Sequence, residues 1–96
     1  MPDVLRFGLI GCGSQGRYLS EALRMTGRAQ LTACADVRAE AAETARARCG
    51  YQKAYNDYLE MLAVAPLDAV IVATTHDQLF PCAMAAAKAG KHVFVE

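Results

Sequence analysis

The chain has 96 residues, ten basic and ten acidic, with a formal net charge of zero; 54% of it is hydrophobic, 21% is charged and tryptophan is absent. That length allows one domain, which buries roughly 60 to 65% of the surface its unfolded chain exposes. The composition excludes a disordered chain, the lack of a Lys/Arg cluster argues against nucleic acid as a partner, and no apolar run approaches the ~20 residues of a membrane span.

Apolar strand-like runs alternate with helix-like stretches along the chain. Val4–Ile10 reads as a first strand. Residues 15–26 follow as a helix, with Leu19, Ala22 and Leu23 at helical spacing and Gly27 as a stop. Gln30–Ala35 is a second strand. Residues 38–49 form an alanine-rich helix with Glu40 and Glu43 early and Arg46 and Arg48 late, a charge order that suits the helix dipole. Lys53–Tyr55 is a short extended piece. Asn56 or Asp57 can cap a small helix through about residue 63, before Pro66. Ala69–Ala73 (AVIVA) is continuously apolar, as a parallel strand covered on both faces must be. Asp77 is expected to cap a helix carrying Leu79, Cys82, Ala83, Ala86 and Ala87 and ending at Gly90, with Pro81 near its first turn. His92–Val95 is the fifth strand. Strands spaced by helices imply β-α-β units. The expected fold is therefore α/β: a doubly wound, Rossmann-like parallel sheet of order 3-2-1-4-5, with helices on both faces. A single domain over residues 1–96 follows, with no internal repeat or linker.

Residues 8–19 read GLIGCGSQGRYL, and Gly11, Gly13 and Gly16 fall in the pattern G-x-G-x-x-G. Three physical needs put glycine there. Gly11 permits a tight turn out of the first strand, Gly13 removes a side chain where a pyrophosphate approaches the backbone, and Gly16 lets the helix pack close. The helix N-terminus then offers unpaired N–H groups and a partial positive charge to phosphates. Cys12, Ser14 and Gln15 complete the loop, and Ser14 can also cap the helix. Asp36 ends the second strand 20 residues after Gly16, where a carboxylate accepts both ribose hydroxyls of an adenosine. It would repel a 2′-phosphate, which favours NAD over NADP. Arg38, beside Asp36 and Val37, weakens that preference because an arginine can accept a 2′-phosphate or stack on adenine. The competing role for Asp36 is to cap the following helix. At the switch point of such a sheet, Ala73, Thr74, Thr75 and His76 should face the glycine loop. His76 has the alternative of a solvent-facing loop residue, and His92, inside an apolar strand, reads as structural.

Cys12, Cys34, Cys49 and Cys82 lack C-x-x-C spacing and zinc-ligand histidines, so no metal is expected. They read as reduced thiols of a cytoplasmic protein. MPDVLRFG has no basic stretch followed by a long apolar one, so no signal peptide is expected.

Together, GLIGCGSQG, ADVR, VIVATT and AGKHVFVE resemble, in order and spacing, the glucose–fructose oxidoreductase / inositol dehydrogenase (Gfo/Idh/MocA) family over nearly the whole chain. The resemblance implies that Gly11, Gly13 and Gly16 bind pyrophosphate and that Asp36 binds the adenine ribose. It also implies that Thr74 and the residues after it lie beside the nicotinamide half, with Glu96 near the nicotinamide. In the family, the segment ending at Glu96 runs on into Glu-Lys-Pro, which carries the catalytic lysine. This chain departs from the family's frequent Ala-Thr-Pro-Asn at Thr75 and His76, and it has Leu79 where a histidine often falls. The implied protein is an NAD(P)-dependent oxidoreductase acting on a hydroxyl or ketone of a sugar, cyclitol or related small molecule. It would be a homo-oligomer, with a C-terminal substrate domain absent from this chain. These 96 residues alone would bind cofactor without turnover and carry no catalytic residue. Two alternatives share the glycine turn: a non-catalytic nucleotide-sensing module, and a methyltransferase binding S-adenosylmethionine, against which the full glycine pattern and the AGKHVFVE segment argue.

Overall fold

Most strands of the computed structural model are rich in β-branched and small apolar residues, and the run Ala69–Val72 has no polar residue at all. The model describes residues 4–95, so Glu96 lies outside the described residues. The strands are β1 (Leu5–Ile10), β2 (Ala29–Ala35), β3 (Lys53–Tyr55), β4 (Ala69–Val72) and β5 (His92–Val95), and all pairings are parallel in the order β3-β2-β1-β4-β5. The helices are α1 (Ser14–Met25), α2 (Ala39–Ala45), α3 (Tyr58–Val64) and α4 (His76–Lys88). Fold class and strand order match the sequence reading.

Two apolar layers explain why β4 has no polar side. Val70 and Val72 join Ile10, Met61, Leu62, Cys82 and Ala86 under α3 and α4. Ala69 and Ile71 join Phe7, Leu9, Leu31, Cys34 and Ala45, with Leu19 and Leu23 of α1, on the opposite face. Burying one such side chain contributes about 1.5–3 kcal/mol. α1 is also tied down by a polar link inside this second layer. The Ser20 hydroxyl donates to the Gly16 carbonyl at 2.7 Å, so its oxygen is left to accept from the buried Tyr51 hydroxyl at 2.6 Å. At β5, on the α1 side, the sheet is less covered, and Phe94 is 55% exposed. A hollow of about 400 Å³ opens there, lined by Phe7, Leu19, Leu23, Ile71, Phe94 and Val95 among others.

Several local expectations are corrected. Gly13, not Ser14, is the N-cap of α1, and Ser14 is its first helical residue. α4 begins at His76 behind an N-cap at Thr75, so Asp77 lies inside the first turn, where its carboxylate accepts the Thr75 hydroxyl at 2.6 Å. Pro81 is consequently the sixth residue of α4 rather than a first-turn residue. The helix expected over 38–49 is α-helical only to Ala45; it widens into a π turn over Arg46–Gly50, which turns Cys49 inward so that its thiol faces the Arg17 carbonyl at 3.8 Å.

Register determines where a ligand can sit. Ile10 lies opposite both Ala35 and Val72, so β1, β2 and β4 end level and their following loops emerge side by side. The Gly11 N–H donates to the Ala35 carbonyl at 2.9 Å, and the Ala73 N–H donates to Ile10 at 2.8 Å, extending the ladder into both loops. Gly11 has φ of +96°, and a Cβ there would lie 2.4 Å from the Ala73 carbonyl oxygen. A Cβ on Gly16 would lie 2.3 Å from the Gly11 carbonyl oxygen. Gly13 differs: its φ is −77°, and a Cβ would meet only the Arg38 guanidinium, at 3.9 Å.

Gly16→Ala should therefore cost about 1–3 kcal/mol or more, because a backbone carbonyl must move, whereas Gly13→Ala should cost under about 1 kcal/mol. Urea denaturation of the two variants checks this, and equal losses would contradict it. A second expectation concerns acid. Asp68, just before β4, accepts the Arg6 N–H of β1 at 2.8 Å and the Arg6 side chain at 3.1 and 3.2 Å. Those bonds hold its carboxyl down from 3.8 to about 2. A depressed carboxylate contributes its full stabilisation above its ordinary value and loses it as pH falls through the folded one. The melting temperature should thus drop as pH falls from about 4 toward 2, and Asp68→Asn should flatten that drop. An unchanged slope in the variant would assign the acid sensitivity elsewhere.

Candidate functional site

The three level strand ends enclose a groove of about 460 Å³. One wall is the β1–α1 loop, contributing Gly11, Gly13, Ser14 and Gln15. A second is the end of β2, contributing Asp36, Val37 and Arg38. The third follows β4, contributing Ala73, Thr74 and Thr75. Ten of the residues singled out from the sequence thus share one cleft.

Four others stand differently. The Cys12 side chain points into the core, donating its thiol to the Ala35 carbonyl at 3.4 Å, and only its backbone N–H faces the site. The neighbouring Cys34 thiol and burial push the Cys12 thiol up, which keeps it a neutral packing group. Gly16 is buried in α1 behind the loop, so it shapes the groove without lining it. His76 is exposed at the start of α4 and does not line the groove. Glu96 is outside the described residues. Sequence reasoning missed Asn56, Tyr58, Gln78 and Cys82, which also line the cleft. Asn56 follows β3 and donates from its side chain to the Asp36 carbonyl at 3.1 Å. Its position after a strand end was the available signal.

Asp36 is the electrostatic centre. Its side chain is only 8% exposed, while that of Arg38 is 67% exposed. One carboxylate oxygen accepts the Arg38 backbone N–H at 2.8 Å, and the other accepts the Cys12 backbone N–H at 2.9 Å. The Arg38 guanidinium adds one bond to each oxygen, both at 3.2 Å. Burial alone would raise the carboxyl; the Arg38 side chain and the two N–H groups outweigh it and hold Asp36 below the usual carboxylate range. The group is therefore an anion at neutral pH, aimed by two backbone bonds. Asp36 also serves the start of α2, since Arg38 is that helix's N-cap. Asp36 is thus not the N-cap expected from sequence; it accepts the N–H of the N-cap residue Arg38 instead.

The loop is suited to anions. No side chain caps α1, so its first N–H groups are not taken by a capping oxygen. The space above Gly13 is clear except for Arg38. A cradle that a Cβ would begin to fill, at a helix N-terminus with a buried carboxylate beside it, has the donor set for a phosphate-linked nucleoside. The apolar hollow beside β5 has no comparable polar set. On the third wall, the Thr75 hydroxyl is directed to Asp77 and the Thr74 hydroxyl to the Thr75 carbonyl at 3.3 Å, so both hydroxyl oxygens keep acceptor capacity.

Comparison with known proteins places the chain in a family. The chain is 37% identical over 92 residues to a myo-inositol 2-dehydrogenase of Thermotoga maritima and 35% identical over 93 residues to an inositol 2-dehydrogenase of Rhizobium meliloti. These alignments cover 96% and 97% of this chain, which spans 28% of the length of each relative. Among solved structures, the scyllo-inositol dehydrogenase of Lactobacillus casei with bound NAD(H) and scyllo-inositol superposes with a TM-score of 0.87 at 25% identity, over 96% of this chain and 27% of that one. The Gfo/Idh/MocA model, described as an oxidoreductase family with an NAD-binding Rossmann fold, matches residues 5–96. The chain belongs to that family, and what it contains is the family's NAD-binding Rossmann domain.

Proposed function

We propose that this domain holds NAD in the groove at the ends of β1, β2 and β4, and that its parent protein oxidises a hydroxyl of a cyclitol or sugar or reduces the corresponding ketone. The observation that carries the reading is the convergence of an uncapped α1 N-terminus, a side-chain-free Gly13 and the oriented Asp36 carboxylate in one cleft. In this reading the N–H groups of residues 13–16 and the α1 dipole receive the diphosphate. Asp36 accepts the adenosine ribose hydroxyls. Ala73, Thr74 and Thr75 border the nicotinamide half. When bound, the nicotinamide supplies the hydride acceptor or donor. The residues of the cleft bind and orient; none of them is assigned the proton transfer, which needs a group within hydrogen-bond reach of the substrate oxygen. The relatives' names support a polyol substrate, and their greater length leaves room for a substrate domain carrying that group. The exposed Phe94 and Val95, beside the outer edge of β5, support further packing there, in keeping with a homo-oligomeric parent. Four buried free thiols support a cytoplasmic setting. Among the described residues, no helix is long and apolar enough to cross a membrane.

Isothermal titration of the 96-residue chain with NAD(H) should show saturable binding without turnover of any polyol. No binding at millimolar ligand would overturn the reading. Asp36→Ala should weaken NAD binding about ten- to a hundredfold, since charge-assisted hydrogen bonds are worth about 1.5–3 kcal/mol each. Circular dichroism should confirm that the variant is folded, and unchanged affinity in a folded variant would remove Asp36 from the site.

A further inference from the structure

We propose that Arg38 is a built-in competitor for the ribose site: its guanidinium occupies, in the free protein, the two carboxylate positions of Asp36 that a vicinal diol would use. The inference rests on the cofactor reading above. It starts from a count of lone pairs. An ionised carboxylate has about four acceptor positions, two on each oxygen. In Asp36 all four are filled, and filled symmetrically. Each oxygen takes one backbone N–H, from Arg38 at 2.8 Å or from Cys12 at 2.9 Å, and one guanidinium N–H at 3.2 Å, Nε on one side and Nη2 on the other.

The two kinds of bond differ in permanence. The backbone bonds are shorter and belong to the ends of β1 and β2, so they keep the carboxylate aimed. The guanidinium is on a long side chain that is 67% exposed, so water can take it up as it swings off the carboxylate. Opening this pair releases one position on each oxygen, side by side. Two adjacent hydroxyls on one sugar ring need that arrangement. Ribose binding is therefore an exchange of the Arg38 fork for a diol on a carboxylate whose orientation does not change.

The same geometry gives opposite consequences for two nucleotides. With NAD, both adenosine-ribose hydroxyls are donors and Arg38 must leave. With NADP, the 2′ position carries a phosphate that accepts rather than donates. Arg38 can then remain near Asp36, where its other N–H groups meet the phosphate. Arg38 thus sets the balance between the two cofactors by obstructing one and assisting the other.

The test is the affinity of the Arg38→Ala variant of the 96-residue chain for NAD and for NADP, by calorimetry at low salt. NAD should bind about two- to fivefold tighter, the factor that an ion pair with one solvent-exposed partner is worth, and NADP should bind equally or more weakly. Arg38→Lys, which keeps the charge but cannot fork across both oxygens, should gain NAD affinity as the alanine variant does. NAD binding that weakens or stays the same in Arg38→Ala overturns the proposal, as does a lysine variant that binds NAD like the wild type. If the wild-type chain binds no NAD, the cofactor reading itself fails; if it binds and Arg38→Ala does not tighten, only the Arg38 assignment falls.

Discussion

The Asp36 carboxylate joins the two halves of this site. It accepts the N–H that follows the first glycine of the loop and the N–H at the start of α2, and so bridges the ends of β1 and β2. Without it, two peptide N–H groups at a partly buried strand edge would lose their partner, at a cost of about 1–3 kcal/mol each where water cannot replace it. The same contacts leave the anion pointing into the cleft. One side chain therefore ties two strand ends together while it faces the cleft.

The glycines express a related constraint. The β1–α1 loop is squeezed between the β4 loop on one side and its own helix on the other. At Gly11 and Gly16 a Cβ would lie within 2.4 Å of a carbonyl oxygen, so those glycines are required by protein packing alone. Gly13 is not crowded by backbone, and the room above it opens into the cleft. The pattern G-x-G-x-x-G thus divides into two residues that make the turn possible and one that leaves space for something else.

Much of this was readable in the sequence, and the rest was hidden for identifiable reasons. The run AVIVA announced a strand covered on both faces, and both layers are present over β4. Asp36 and the glycines were found because their spacing follows from one strand–turn–helix unit. The start of α4 was misplaced because Thr75 and Asp77 are both acceptable N-caps; the backbone conformation, extended at Thr75, decides between them. Cys12 was expected to line the loop, but the φ of +96° at Gly11 is a tertiary outcome, and the Cys12 thiol is found turned inward to the Ala35 carbonyl. Asn56, Tyr58 and Gln78 come from β3, α3 and α4 neighbourhoods that meet only when the sheet is assembled, so no local spacing marks them. The Arg38 fork on Asp36 was likewise invisible, because sequence shows that two charges are neighbours but not that they share both oxygens.

The most direct test of the account is an amide chemical-shift titration of the chain with NAD(H). The account predicts shifts concentrated at residues 11–16, 36–38 and 73–75, the three strand-end loops around Asp36. Shifts centred instead on Leu23, Phe94 and Val95 around the apolar hollow, or none anywhere at saturating ligand, would contradict it.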